Sequence, residues 1–164
     1  MSPQPLGKVS IEEVISEDPA LVRLIYQYLA WAAFWLVAAS AVGLVLSLKL
    51  NYPDFLNSPF TVFGRLRPVH TNTLFWGWTS LAMVGLCLFV VPRTSRTPLY
   101  SLKLARISLW LWNTAVLAGW VALGPYWRWR SVGGSLMFLG HVVFAYNLYM
   151  MRPAPGQKSE RVPA

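Results

Sequence analysis

The sequence predicts an all-α integral membrane protein, a four-helix bundle with both termini in the cytoplasm. Three observations predict it. Hydrophobic residues make up 55% of the 164 positions and charged residues only 12%, whereas a soluble domain carries roughly a quarter charged residues. Charges at membrane depth are expensive, so a bilayer solvent imposes this deficit. The chain also holds 9 Trp, 7 Tyr and 8 Phe, and Trp and Tyr collect where an apolar ring meets a wet interface. Finally, a helix spanning a ~30 Å hydrocarbon core needs roughly 20 apolar residues, and four segments supply that length.

The crossings are expected at about residues 25–48, 69–91, 104–123 and 132–151, with polar tails at both ends of a single membrane domain, 1–164. None has a charge in its middle. Pro53 and Pro68 bracket the first connection, and Pro92 is expected to stop the second helix, since proline lacks the amide that continues a helix. Gly124-Pro125 closes the third. Gly133 and Gly134 open the fourth, where small residues permit close helix contact. The longest connection, Lys49 to Pro68, carries Tyr52, Phe55, Leu56, Phe60 and Phe63 and is expected to lie along the membrane surface. Residues 1–20 are polar and acidic, so no cleavable leader is expected there.

Lys and Arg set the orientation. With four crossings, one side holds Lys8, Arg23, Arg93, Arg96, Lys103, Arg106, Arg152, Lys158 and Arg161; the other holds Lys49, Arg65, Arg67, Arg128 and Arg130. The richer side is the cytoplasmic one. The net charge of +8 is thereby explained by topology, and nucleic acid is not an expected partner. Four arginines remain on the outer side, Arg65 and Arg67 beside the second helix and Arg128 and Arg130 beside the fourth. An anionic ligand there and contact with lipid phosphates are equally good readings.

Few residues are equipped for chemistry. All six acids (Glu12, Glu13, Glu17, Asp18, Asp54, Glu160) lie outside the crossings, which excludes a proton path of buried carboxylates within this chain. No Ser/His/Asp set and no glycine-rich phosphate loop occurs. Cys87 is the lone cysteine, with no metal-ligand spacing around it. Of the two histidines, His70 stands at the outer mouth of the second crossing, where a neutral imidazole ligates heme iron or simply meets water. His141 sits deeper and needs a partner, because an unpaired polar group in hydrocarbon is costly. Thr79, Thr114 or a heme would serve. One heme held by both histidines requires similar depth. His141 stands about nine residues into its helix, roughly 13 Å, against a His70 near the start of its own.

The block Phe63-Gly64-Arg65-Leu66-Arg67-Pro68-Val69-His70-Thr71-Asn72 resembles the start of the second helix in the catalytic subunit of cbb-type heme-copper oxidases, and nitric oxide reductases carry a similar His-Thr-Asn. Trp31, Phe34 and Trp35 in the first helix, the Val90-Val91-Pro92-Arg93 exit and the Ser131 to Met151 segment are also similar. The resemblance covers most of this chain but a minority of a much longer subunit. It implies that His70 is an axial ligand of a low-spin heme b, with Arg65 and Arg67, then Arg128 and Arg130, as partners of the propionates, and Trp76 and Trp78 flanking the porphyrin. His141 is a candidate second iron ligand.

Further histidines hold the family's copper, or iron in the reductases, and two histidines cannot assemble that centre. No copper is therefore expected, and no complete oxidase or reductase site in this chain alone. The function implied is a heme b-binding electron-transfer subunit of a respiratory complex in the bacterial inner membrane, working beside other subunits and a c-type cytochrome. The alternative is a heme-free scaffold or assembly subunit derived from the same ancestor.

Overall fold

The computed structural model describes residues 18–121 and 126–152. It is all-helical, with four long helices among the described residues: α1 Pro19–Asn51, α2 Phe63–Thr94, α3 Leu102–Val121 and α4 Tyr126–Tyr149. Three stretches are long and apolar enough to cross a membrane, Pro19–Asn51, Phe63–Thr94 and Ser131–Tyr149. The 20-residue α3 carries Lys103, Arg106 and Asn113 and is not one of these three. The Gly124-Pro125 stop lies outside the described residues.

Helix α1 begins six residues before its expected start. Asp18 caps it, accepting from the amides of Ala20 (2.9 Å) and Leu21 (3.2 Å), and Pro19 occupies the first turn, where its fixed φ suits a helix. At 33 residues it is about 50 Å long, so it extends past a ~30 Å hydrocarbon core.

Helix α2 departs further from expectation. It starts at Phe63, not Val69, and runs through Pro68. A proline ring in a helix clashes with the carbonyl four residues earlier and removes one hydrogen bond. Here that earlier residue is Gly64, in the first turn, where the backbone is least constrained. Pro92 likewise lies inside α2, which continues to Thr94. Between the two prolines, Thr73–Thr79 forms a π-helical stretch. Its widened ladder is visible in the Ser80 amide, which donates to the carbonyl of Phe75, five residues back. The hydroxyls of Thr79 and Ser80 reach the carbonyls of Leu74 (3.1 Å) and Phe75 (2.9 Å).

The core lies where α1, α2 and α3 meet, around Leu24, Tyr28, Trp35, Leu81, Leu88, Leu109 and Trp112. Polar side chains tie the helices. Tyr28 Oη donates to the carbonyl of Ala105 (2.7 Å), and Trp35 Nε1 donates to Asn113 Oδ1 (2.7 Å). Two more bonds from α3 hold the π stretch: Trp112 Nε1 donates to the carbonyl of Trp76 (3.0 Å) and Trp120 Nε1 to Thr73 Oγ1 (2.9 Å). A π turn frees carbonyls from the helical ladder, and the Trp112 indole takes up that of Trp76, while the Trp120 indole holds the Thr73 hydroxyl. Helix α4 packs on α3. Ser108 Oγ donates to the carbonyl of Gly140 (3.1 Å). Asn147, fully buried, accepts from the Ser101 amide and donates to the Ser101 carbonyl, both at 2.9 Å.

The outward faces are apolar. Val37, Leu44, Phe75, Met83, Phe138 and Tyr149 are all exposed, as a helix in lipid requires. Tyr52, Phe55, Leu56 and Phe60 of the first connection are exposed as well.

Candidate heme-ligand site

His70 is positioned by α1. Its Nδ1 lies 2.8 Å from the carbonyl oxygen of Ala39. A carbonyl only accepts, so Nδ1 carries the proton and Nε2 keeps its lone pair. The half-buried ring lies against Gly43. A Cβ there would stand 2.6 Å from Cε1, 3.0 Å from Nδ1 and 3.4 Å from Nε2 of His70. Ala39 and Gly43 are one turn apart, so α1 presents a small-residue notch in which the imidazole is seated. The chemistry of this donor fits a heme iron. A ligating histidine characteristically gives its other N–H to a carbonyl or carboxylate, which fixes its orientation and raises its basicity.

The two arginines of the block divide. At 3.6 residues per turn, Arg67 stands on the same face of α2 as His70, one turn nearer the mouth. Arg65 is turned about 140° from His70 on that same geometry, onto the side of Val69 and Asn72. Arg67 is exposed and Arg65 half-buried. The side chains of Arg128 and Arg130 lie outside the described residues.

His141 is elsewhere and is not buried as expected. It is exposed. Its Nδ1 donates to the carbonyl of Met137 on its own helix (2.8 Å). The expected hydroxyl partners are engaged locally: Thr79 bonds Leu74, and Thr114 bonds the carbonyl of Trp110 (2.7 Å). The His141 ring packs on Trp112 (centroids 4.3 Å apart) and edge-on to Trp76 (5.9 Å). Trp76 is six residues beyond His70, about 9 Å along the helix, and His70 turns to α1 while Trp76 turns to α4. The structure thus separates the two histidines in depth and in direction. Trp76 and Trp78 are both exposed, and Trp76 serves as the wall beside His141.

Two contributors carry little mark in the sequence. Gly43 and the carbonyl of Ala39 shape the seat of His70, and their i, i+4 spacing of small residues is the available signal. Trp112 is the neighbour of His141; nothing in its local sequence points there.

Comparison with known proteins gives the family of the chain. Residues 23–153 match the family model of cytochrome c and quinol oxidase polypeptide I. The chain is 31% identical over 103 residues to the cbb3-type cytochrome c oxidase subunit CcoN1 of Stutzerimonas stutzeri, a match covering 62% of this chain and 22% of that relative. It is 33% identical over 84 residues to a cytochrome c oxidase subunit 1 homolog of Agrobacterium tumefaciens (51% and 16%). It is 33% identical over 88 residues to a nitric oxide reductase subunit of Stutzerimonas stutzeri (54% and 18%). The chain therefore spans about a fifth of the length of these relatives. With most of its residues inside the family match, and with helices able to cross a membrane, the chain belongs to the cytochrome c and quinol oxidase polypeptide I family.

Proposed function

We propose that this chain is a heme b-binding, electron-transferring membrane subunit of a respiratory oxidase-like complex, with no binuclear centre of its own. Four crossings would place both termini in the cytoplasm and His70 near the outer face. The observation that carries the reading is the seat of His70, whose Nδ1–H is committed to Ala39 and whose ring fills the notch at Gly43.

A bound heme b would supply one-electron transfer. This chain's residues would do the rest. Nε2 of His70 would be the ligand atom, with the Ala39 carbonyl holding the ring and making it more basic, and Arg67 would supply positive charge for a propionate from the same helix face. Because His141 packs on Trp112 and Trp76, away from the His70 seat, any second ligand to the iron would come from a neighbouring chain of the complex. A c-type cytochrome is the proposed electron donor, on the strength of the oxidase relatives.

Quantifying heme in the complex isolated from membranes tests the proposal. A pyridine hemochrome assay should find heme b in proportion to this chain. Its absence from preparations in which the chain and its partner subunits are intact would establish the heme-free scaffold instead. That second reading is favoured by the separation of the two histidines.

A further inference from the structure

We propose that the place where α1 ends and α2 begins binds the phosphate of an anionic phospholipid, with the Lys49 ammonium as its cation and the first-turn amides of α2 as its hydrogen-bond donors. This site is separate from the His70 seat and does not depend on heme being bound there.

Lys49 is the last buried residue of α1, only 5% exposed. Lysine is almost never buried so far without a partner, because a buried cation is costly unless it is paired. Yet Lys49 has no hydrogen bond or ion pair among the described residues, and Asp54, the acid of the adjoining connection, forms no ion pair with it. No buried side-chain nitrogen or oxygen is left unpaired among the described residues. The apolar stem of Lys49 is therefore the buried part, and the ammonium keeps what access the residue has. It is a cation held in place by packing and open to an incoming anion.

The packing of α1 on α2 sets what the ammonium faces. A Cβ on Gly85 would meet Tyr28, one on Gly77 would meet Trp35, and one on Gly43 would meet His70. These opposed pairs advance along α1 as they step back along α2, and Leu46 with Leu66 continues the series. Lys49 comes next and stands against Phe63, the first residue of α2. That helix start is unsatisfied. Val62 offers no side-chain cap, the first turn holds no acid, and the amides of Phe63 and Gly64 have no hydrogen-bond partner among the described residues. Gly64 leaves room beside them, since a Cβ there would meet no atom within 4 Å. Arg65, half-buried in the same turn, adds positive charge. A helix N-terminus attracts oxyanions through its free amides and its dipole, and here a buried, unpaired ammonium faces the same point. One phosphate between them would satisfy both. Leu50, Tyr52, Phe60 and Phe63 are exposed nearby in the chain and suit the glycerol and acyl parts of a lipid, which a free phosphate ion lacks. Basic pockets between membrane helices take lipid head groups in this way.

The test uses the full chain in a neutral detergent, with dioleoylphosphatidylglycerol as probe and native mass spectrometry as readout. One lipid per chain should bind saturably and raise the thermal unfolding midpoint. Dioleoylglycerol, which lacks the phosphate, should do neither. Lys49→Met keeps the apolar stem and should weaken binding about tenfold, as loss of a hydrogen bond to a charged group does. Lys49→Arg, which keeps the cation, should bind within a few-fold of the parent. Gly64→Leu should fill the space beside the free amides and weaken binding as well, with circular dichroism confirming that each variant stays helical. Lys103→Met, which removes an exposed cation from α3, should leave the lipid bound. Equal weakening by Lys49→Met and Lys103→Met would overturn the proposal in favour of attraction to the net charge. Displacement of the lipid by an equal concentration of inorganic phosphate would overturn it in favour of a free-ion site. Heme lost from the isolated complex in Lys49→Met, with lipid binding unchanged, would overturn it in favour of a propionate partner.

Discussion

The imidazole of His70 rests on Gly43 so closely that a single methyl group there would overlap it, 2.6 Å from Cε1. The contact is a side-chain ring against the backbone of α1, so the ring is the part that must move. Gly43→Ala should push the ring out of its seat and break the bond to Ala39. Overpacking of this kind costs about 1–3 kcal/mol, and we expect heme content of the isolated complex to fall by about tenfold while the chain still inserts. Heme quantitation against protein checks it.

Arg67 and Arg65 provide a paired comparison. Removing a positive charge near a heme favours the ferric state, so Arg67→Gln should lower the midpoint potential of the bound heme by about 30–60 mV, for a one-electron couple in which tenfold is 59 mV. Arg65→Gln, on the other side of α2, should move it much less. Potentiometric titration of the two variants decides; equal shifts would mean that helix face is irrelevant to the charge at the heme.

The α1–α2 contact has a second close point. A Cβ on Gly77 would lie 2.8 Å from the Cβ and 2.9 Å from the Cγ of Trp35, whose indole is already fixed by Asn113. Gly77→Ala should therefore destabilise the helix pair by about 1–3 kcal/mol, read as an earlier unfolding midpoint in a denaturing-detergent titration. An unchanged midpoint would show that the π stretch absorbs the extra methyl.

Asn147 joins the two ends of the α3–α4 hairpin through both backbone groups of Ser101. Asn147→Ala removes two hydrogen bonds and leaves their partners half-buried, a loss of about 1–3 kcal/mol. Amide exchange at Ser101 and Leu104 should quicken, with exchange in the α1–α2 core unaffected.

The helices are readable in the sequence because a bilayer forces long apolar runs, and His70 stands out through the ten-residue block around it. Boundaries are less readable, for physical reasons. Proline marks a helix end less sharply than expected: Pro68 sits early in α2, opposite the first-turn carbonyl of Gly64, and Pro92 sits in the last turn, two residues before the helix ends at Thr94. The Asp18-Pro19 start of α1 is a capping signal, and the apolar run alone points further along the chain. The π stretch at Thr73–Thr79 has no local signature, since the Trp112 indole that takes up its Trp76 carbonyl and the Trp120 indole that holds the Thr73 hydroxyl come from α3. The exposure of His141 is hidden for the same reason. Its depth along the sequence suggests burial, but α4 packs chiefly on α3, and the open cleft beside Trp76 leaves the ring exposed.

The most direct test of heme ligation by His70 is the reduced-minus-oxidised absorbance spectrum of the membrane complex, purified through this chain from cells supplied with heme, for the parent and for His70→Ala. The expected result is a b-type α band in the parent that is lost in His70→Ala while this chain and its partner subunits remain assembled. A band of equal height in both would contradict it.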